Sequence, residues 1–159
     1  MFGFKKKTKL ISVGAIVSGK IIPMTEVRDE VFSQKMLGDG FAVLPVNGEI
    51  VAPMDGTIVS IFPTKHALTM KTTEGLELIL HLGIDTVSLN GEPFEMLIHE
   101  NEEVSKGQPI AQVDLSILEK HALKNEMIVV FTNLLETDKL QIIKNNASNK
   151  GEEVVDLLR

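Results

Sequence analysis

Two of the four histidines, His66 and His81, lie in a stretch whose pattern predicts that their side chains meet. Apolar and β-branched residues at 67–71 and 76–82 indicate two strands, and the polar run 72–75 between them indicates a turn. A loop of two or four residues pairs positions whose numbers sum to 147, so that His66 lies directly opposite His81. A three-residue loop raises the sum to 148 and sends the side chains to opposite faces of the sheet. The functional prediction therefore depends on loop length.

Two facing imidazoles are suited to the transfer of a phosphoryl group. A neutral imidazole is a good nucleophile near pH 7, because its ordinary pKa is about 6.5. Transfer requires an unprotonated ring nitrogen in line with the leaving atom, and hydrogen-bond donors for the phosphoryl oxygens. The second imidazole could donate its N–H to those oxygens, and a nearby hydroxyl such as that of Thr64 could orient it.

The residues around the histidine pair predict a surface that docks a partner protein. Gly83 would keep the rim beside His81 open. The loop residue Asp85 either stabilises the turn after His81 or steers a partner by its charge, and the structural role is favoured. The predicted docking surface as a whole contains mainly apolar residues, namely Phe41, Phe62, Leu68, Gly83, Ile84, Asp85 and Val87.

Composition excludes several classes of function for this 159-residue chain. Cysteine is absent, which rules out disulfides, thiolate metal sites and a cysteine nucleophile. No apolar run approaches the roughly 18 residues that a membrane-spanning helix needs. The net charge of −6 and the absence of Trp and Tyr argue against nucleic acid as a partner. Proteins and small molecules remain.

Short β-type segments separated by Gly and Pro dominate the chain and predict an all-β fold, an antiparallel β-sandwich or barrel with short helical segments. Helices are predicted at 28–36 and at 115–123, the second capped by Asp114. We divide the chain into a flexible basic N-terminus, residues 1–11, and a single domain, residues 12–159. Strands are predicted near 13–17, 20–22, 41–46, 49–52, 57–62, 67–71, 76–82, 95–98, 110–113, 127–132, 140–143 and 154–157.

The segment that begins at His81, with the sequence HLGIDTV, resembles the phosphorylation-site signature of the glucose-family enzyme IIA of the phosphoenolpyruvate-dependent sugar phosphotransferase system. The likeness extends over roughly residues 12–145 and includes the motifs at 38–40, 52–57, 64–67, 75–78 and 106–107. Residues 52–59 and 104–111 are weakly similar to each other, and together they resemble the two halves of a hybrid barrel-sandwich.

The resemblance implies an antiparallel β-sandwich with a phosphohistidine at His81, supported by His66, which Thr64 orients. It implies transfer from the histidine phosphocarrier protein to a IIB domain and then to the incoming sugar, with no cofactor required. In some family members the unphosphorylated form also regulates metabolic proteins, and the two histidines can share a zinc ion at such an interface. We expect a cytoplasmic monomer.

Two weaker alternatives stay open at this point. His81 and Asp85 have the spacing of one half of a zinc site in certain peptidases, and His66 could complete a three-ligand set. The weak similarity between residues 52–59 and 104–111 could instead indicate a biotinyl or lipoyl carrier, for which Lys71 is the nearest candidate for modification.

Overall fold

The computed structural model describes residues 9–147 and 149–159 and contains fourteen strands and two α-helices. The helices are α1 (Glu30–Ser33) and α2 (Leu115–Lys120). Every pairing between the described strands is antiparallel, which confirms the predicted fold class. The strands are β1 (Leu10–Gly14), β2 (Gly19–Pro23), β3 (Gly40–Pro45), β4 (Glu49–Val51), β5 (Gly56–Ile61), β6 (Ala67–Thr72), β7 (Glu77–Leu82), β8 (Phe94–Met96), β9 (Glu103–Val104), β10 (Pro109–Val113), β11 (Met127–Phe131), β12 (Lys139–Ile142), β13 (Asn146–Ala147) and β14 (Glu153–Leu158).

Three sheets enclose the main hydrophobic core. The largest has eight strands in the order β13-β2-β3-β11-β7-β6-β5-β9, and two smaller sheets have the orders β1-β14-β12 and β4-β10-β8. Side chains of strand β7 alternate between the two faces of the large sheet. Leu78, Leu80 and Leu82 are buried in this core, while the residues between them are more exposed. Residues on one strand alternate between faces, so His81 lies on the outer face of the large sheet.

A second, smaller apolar cluster covers part of that outer face. Met24, Val27 and Phe32, which come from the segment between β2 and β3, pack with residues of the sheet and with Ile84. The sheet residues in this cluster include Ala42 of β3 and Ile128 of β11. Since Ile128 pairs with His81 across β11 and β7, His81 lies next to this apolar cluster.

Both predicted helices exist but are shorter than expected. Asp29 accepts a hydrogen bond from the backbone of Phe32 and begins α1, and Asp114 caps α2 as predicted. Lys35, with φ of 59°, and Ala122, with φ of 55°, adopt the left-handed conformation shortly after the two helices. Left-handed residues do not continue a right-handed helix, which explains the early ends.

The first strand begins earlier than the predicted domain boundary. Leu10 and Ile11 pair with Leu158 and Leu157 of β14, so residues 10–11 belong to the sheet and not to a flexible N-terminus. The basic cluster at residues 5–7 lies outside the described residues. Strands β9 and β13 were not predicted, because two residues are too few to show an alternating pattern. Within residues 9–147 and 149–159, no helix has the length and apolar character needed to cross a bilayer.

Candidate functional site

The hairpin between β6 and β7 has a different register from the predicted one. Ala67 pairs with His81 and Lys71 with Glu77, so paired positions sum to 148 and not to 147. The loop is a three-residue one, in which the backbone N–H of Thr72 donates to the carbonyl of Leu76 at 2.8 Å. Gly75 completes it with φ of 85°, a conformation that glycine adopts without strain. The predicted register is therefore wrong.

The two imidazoles nevertheless meet, with ring centroids 5.2 Å apart and ring planes at 77°. The reason is that regular alternation stops before His66, since β6 begins only at Ala67. Lys65 adopts the left-handed conformation with φ of 57° and lies in a turn closed by its hydrogen bond to Phe62 O at 2.7 Å. The expectation that a three-residue loop separates the rings fails because it assumed that the strand extends through His66.

His81 is held by the backbone two residues further along. Its Nδ1 donates to the carbonyl oxygen of Gly83 at 2.6 Å, which leaves Nε2 as the ring nitrogen with a lone pair. The ring of Phe32 packs edge-on against it, with centroids 4.9 Å apart. Burial lowers the pKa of His81 below its ordinary value, although the Gly83 hydrogen bond and the charges of Asp29 and Asp85 act in the opposite direction. The imidazole is therefore neutral near pH 7.

His66 is held in a comparable way by its own turn. Thr64 Oγ1 lies 2.5 Å from His66 Nδ1, and the ring of Phe62 packs edge-on at a centroid distance of 5.3 Å. His66 is 8% exposed, and this burial lowers its pKa. When the Thr64 hydroxyl donates to Nδ1, the proton of the neutral ring lies on Nε2, where it can be donated to a ligand.

Taken together, these contacts give the two histidines complementary roles. His81 has an unprotonated Nε2 that can attack an electrophile, and His66 can offer an N–H beside it. Both side chains are neutral near pH 7 because both pKa values are lowered. An adjacent neutral nucleophile and hydrogen-bond donor are the two elements that phosphoryl transfer requires.

Comparison with known proteins agrees with this chemistry. The sequence matches the family described as the phosphoenolpyruvate-dependent sugar phosphotransferase system, EIIA 1, over residues 11–137. The chain belongs to this EIIA family. It is 48% identical over 124 residues to the glucose-specific EIICBA component of the phosphotransferase system from Staphylococcus saprophyticus, a match that covers 78% of the chain and 18% of that relative. The structure resembles glucose permease IIA from Mycoplasma capricolum, with a TM-score of 0.84, 40% identity and coverage of 98% of this chain and 99% of that one.

The EIIA fold buries about half of the predicted docking surface. Phe41, Leu68 and Ile84 are core residues, and the backbone of Gly83 is buried as well, so these four do not form a docking surface in this structure. Phe41 and Leu68 point inward because they alternate with the outward residues of β3 and β6. The other three predicted docking residues, Phe62, Asp85 and Val87, are exposed.

Some important contacts of this EIIA site were not predicted from the sequence. Phe32 lies far from His81 in the chain, and no sequence pattern indicates that their rings meet. Gly83 was expected to keep the rim open, but its carbonyl instead orients His81. The one sequence signal for a tight turn at this point was the glycine itself, which follows His81 and Leu82. In the structure Gly83 has φ of 83°, a conformation that glycine adopts without strain.

The alternative sites receive no support from the described residues. No three or more His, Cys, Asp or Glu side chains in residues 9–147 and 149–159 form a group that could hold a metal ion, so His66, His81 and Asp85 are not a three-ligand set. Lys71 pairs with Glu77 inside the hairpin strands and does not occupy a tight turn. The other two histidines, His99 and His121, are exposed.

Proposed function

We propose that this EIIA domain accepts a phosphoryl group on Nε2 of His81 and passes it on for sugar uptake. The observation that carries the proposal is the pair of neutral imidazoles, one held through Nδ1 by Gly83 and the other through Nδ1 by Thr64. Membership of the phosphotransferase family supplies the type of group that is transferred. The names of the two relatives make glucose, or a sugar like it, the first substrate to test.

The chemical step is an exchange of one N–P bond for another. The lone pair on Nε2 of His81 forms the new bond to phosphorus, while the bond to the donor histidine breaks and its electron pair returns to the donor ring. Nδ1 of His81 keeps its proton, because that proton is hydrogen-bonded to Gly83 O. His66 stabilises the phosphoryl oxygens by donating N–H from Nε2, and Thr64 fixes that tautomer.

The partners are a histidine phosphocarrier protein upstream and a IIB domain downstream, both in the cytoplasm. Phe62 and Val87 are exposed apolar side chains on the two segments that hold the histidines. The carboxylates of Asp29 and Asp85 lie near enough to His81 to affect its pKa, so the partners should present basic residues around their own phosphorylation sites. The chain spans 18% of the length of the glucose-specific EIICBA relative.

A zinc ion at a regulatory interface is a second proposal. His66 and His81 could supply two of the four nitrogen, oxygen or sulfur ligands that a structural zinc site needs. The unphosphorylated protein would then need a partner that supplies the others, since no further ligand group forms within the described residues. Zinc-dependent retention of a purified partner, lost in His66→Gln, would support this role.

The experiment that tests the main proposal is reconstitution with phosphoenolpyruvate, the general phosphotransferase enzyme and its small phosphocarrier. We expect acid-labile phosphate on one histidine of the wild type and none in His81→Ala. His66→Gln should accept phosphate but transfer it poorly to a IIB domain. Phosphate on His66 in the wild type, or normal onward transfer by His66→Gln, would contradict the assigned roles.

A further inference from the structure

A buried carboxylate lies close to the phosphorylation site without touching either histidine. The side chain of Glu126 is fully buried. It accepts hydrogen bonds from the backbone N, Nε and Nη2 of Arg28, at 2.9, 3.3 and 2.8 Å. Burial alone would raise the pKa of Glu126, but the hydrogen bonds and charge of Arg28 hold it below its ordinary value. The Arg28 side chain is itself 56% exposed, so the pair joins a buried carboxylate to a cation at the surface. An ion pair with a solvent-exposed cation contributes little net stability, which points to another role for Glu126.

Glu126 is connected to both supports of His81. Its backbone carbonyl accepts from the N–H of Gly83 at 3.0 Å, and the carbonyl of Gly83 in turn accepts from His81 Nδ1 at 2.6 Å. Its side chain holds Arg28, the residue before Asp29, which caps α1. That helix carries Phe32, whose ring packs against His81.

We propose that Glu126 is a positioning residue for His81, which fixes the ring orientation through Arg28 and Phe32. Rigid support of this kind is effective because a misplacement of about 1 Å can slow a reaction a hundredfold. The effect on phosphoryl transfer rests on the proposed function, whereas the effect on ring geometry does not.

The test compares Glu126→Gln with a control that loses an equivalent ion pair elsewhere. Asp138 is also fully buried, accepts two hydrogen bonds from Arg159 at 3.0 and 2.7 Å, and accepts a backbone N–H from Leu135 at 2.8 Å. Asp138→Asn therefore removes the same type of interaction away from the histidines. Because Glu126→Gln could fail to fold, the double variant Arg28→Met/Glu126→Leu replaces the pair by apolar side chains, a change that folded proteins often tolerate.

Two measurements are made on each folded variant. The first is the NMR chemical shift of the His81 ring protons, which the Phe32 ring displaces when the two rings are in contact. The second is the rate of His81 phosphorylation by the phosphorylated carrier. We expect Glu126→Gln and the double variant to lose the ring-induced shift and to react about tenfold more slowly. We expect Asp138→Asn to leave both measurements unchanged.

The proposal is overturned if the Glu126 variants keep the wild-type His81 shifts, or if Asp138→Asn changes both measurements to the same extent. A wild type that is not phosphorylated on His81 would refute the proposed function instead. In that case the chemical shifts of the variants still decide whether Glu126 positions the ring.

Discussion

Replacing Gly83 by alanine should destabilise the protein more than replacing Gly75, the other glycine next to the histidine hairpin, by alanine. Gly83 has φ of 83°, where alanine is strained by about 1–2 kcal/mol. An added Cβ would also lie 2.6 Å from Thr86 Cγ2 and 3.0 Å from Leu118 Cδ2. Thr86 cannot rotate away freely, because it is buried and its hydroxyl donates to Leu82 O at 2.8 Å. Crowding of this kind adds about 1–3 kcal/mol, so we expect a total loss of about 2–5 kcal/mol.

Gly75→Ala is the matched control for this substitution. Gly75 has nearly the same φ, 85°, but an added Cβ there would meet nothing within 4 Å. Its loss of stability should therefore be confined to the conformational strain of about 1–2 kcal/mol. The difference between the two variants isolates the crowding against Thr86 and Leu118.

The assay is urea unfolding followed by far-UV circular dichroism, because the chain has no Trp or Tyr to give a fluorescence signal. The same samples should be tested for phosphorylation, since a shift of the Gly83 carbonyl loosens the hydrogen bond to His81 Nδ1. Equal losses of stability in Gly83→Ala and Gly75→Ala would refute the steric argument. A stable Gly83→Ala that is phosphorylated at the wild-type rate would refute the orienting role of the carbonyl.

Three further predictions follow from the site. Thr64→Val removes the hydroxyl that lies 2.5 Å from His66 Nδ1, so transfer from phosphorylated His81 to a IIB domain, measured by rapid quench, should slow by up to about a hundredfold. The pKa values of His66 and His81 are lowered on folding, so the unfolded chain binds more protons below about pH 6.5. The free energy of unfolding should therefore decrease as the pH falls through this range, and urea titrations of a double His→Gln variant should show a weaker decrease. Asp29→Ala removes the acceptor for the backbone N–H of Phe32 and should lower the free energy of unfolding by about 1 kcal/mol. It should also lower the pKa of His81 further, which NMR titration would detect, because Asp29 favours the charged ring.

The sequence allowed the fold class and the central pair of residues to be predicted, but for a partly mistaken reason. Short apolar runs and turn residues indicate antiparallel strands wherever a segment has four or more residues. The predicted contact between His66 and His81 rests on paired positions whose numbers sum to 147. In the structure Ala67 pairs with His81, so the sum is 148. The rings meet at the point where β6 begins, directly after the left-handed turn at Lys65. A backbone conformation at one non-glycine residue cannot be read from alternation.

Long-range contacts explain most of what could not be predicted. Phe32 reaches His81, and Arg28 reaches Glu126, across separations that no local pattern encodes. Burial of Phe41 and Leu68 depends on which face of a strand meets the core, and an apolar residue near a site in sequence can lie on either face. The carbonyl of Gly83 determines which ring nitrogen of His81 is free to react, because it binds the other one. The direction of this carbonyl follows from the left-handed conformation of Gly83.

The proposed transfer chemistry depends most directly on which ring nitrogen of His81 carries the phosphoryl group. Long-range proton–nitrogen NMR spectra of the protein phosphorylated through the small carrier distinguish the two nitrogens of each histidine. We predict phosphorus on Nε2 of His81, with Nδ1 still protonated and donating to Gly83 O. Phosphorus on Nδ1 of His81, or on either nitrogen of His66, would contradict the proposed roles of the two histidines.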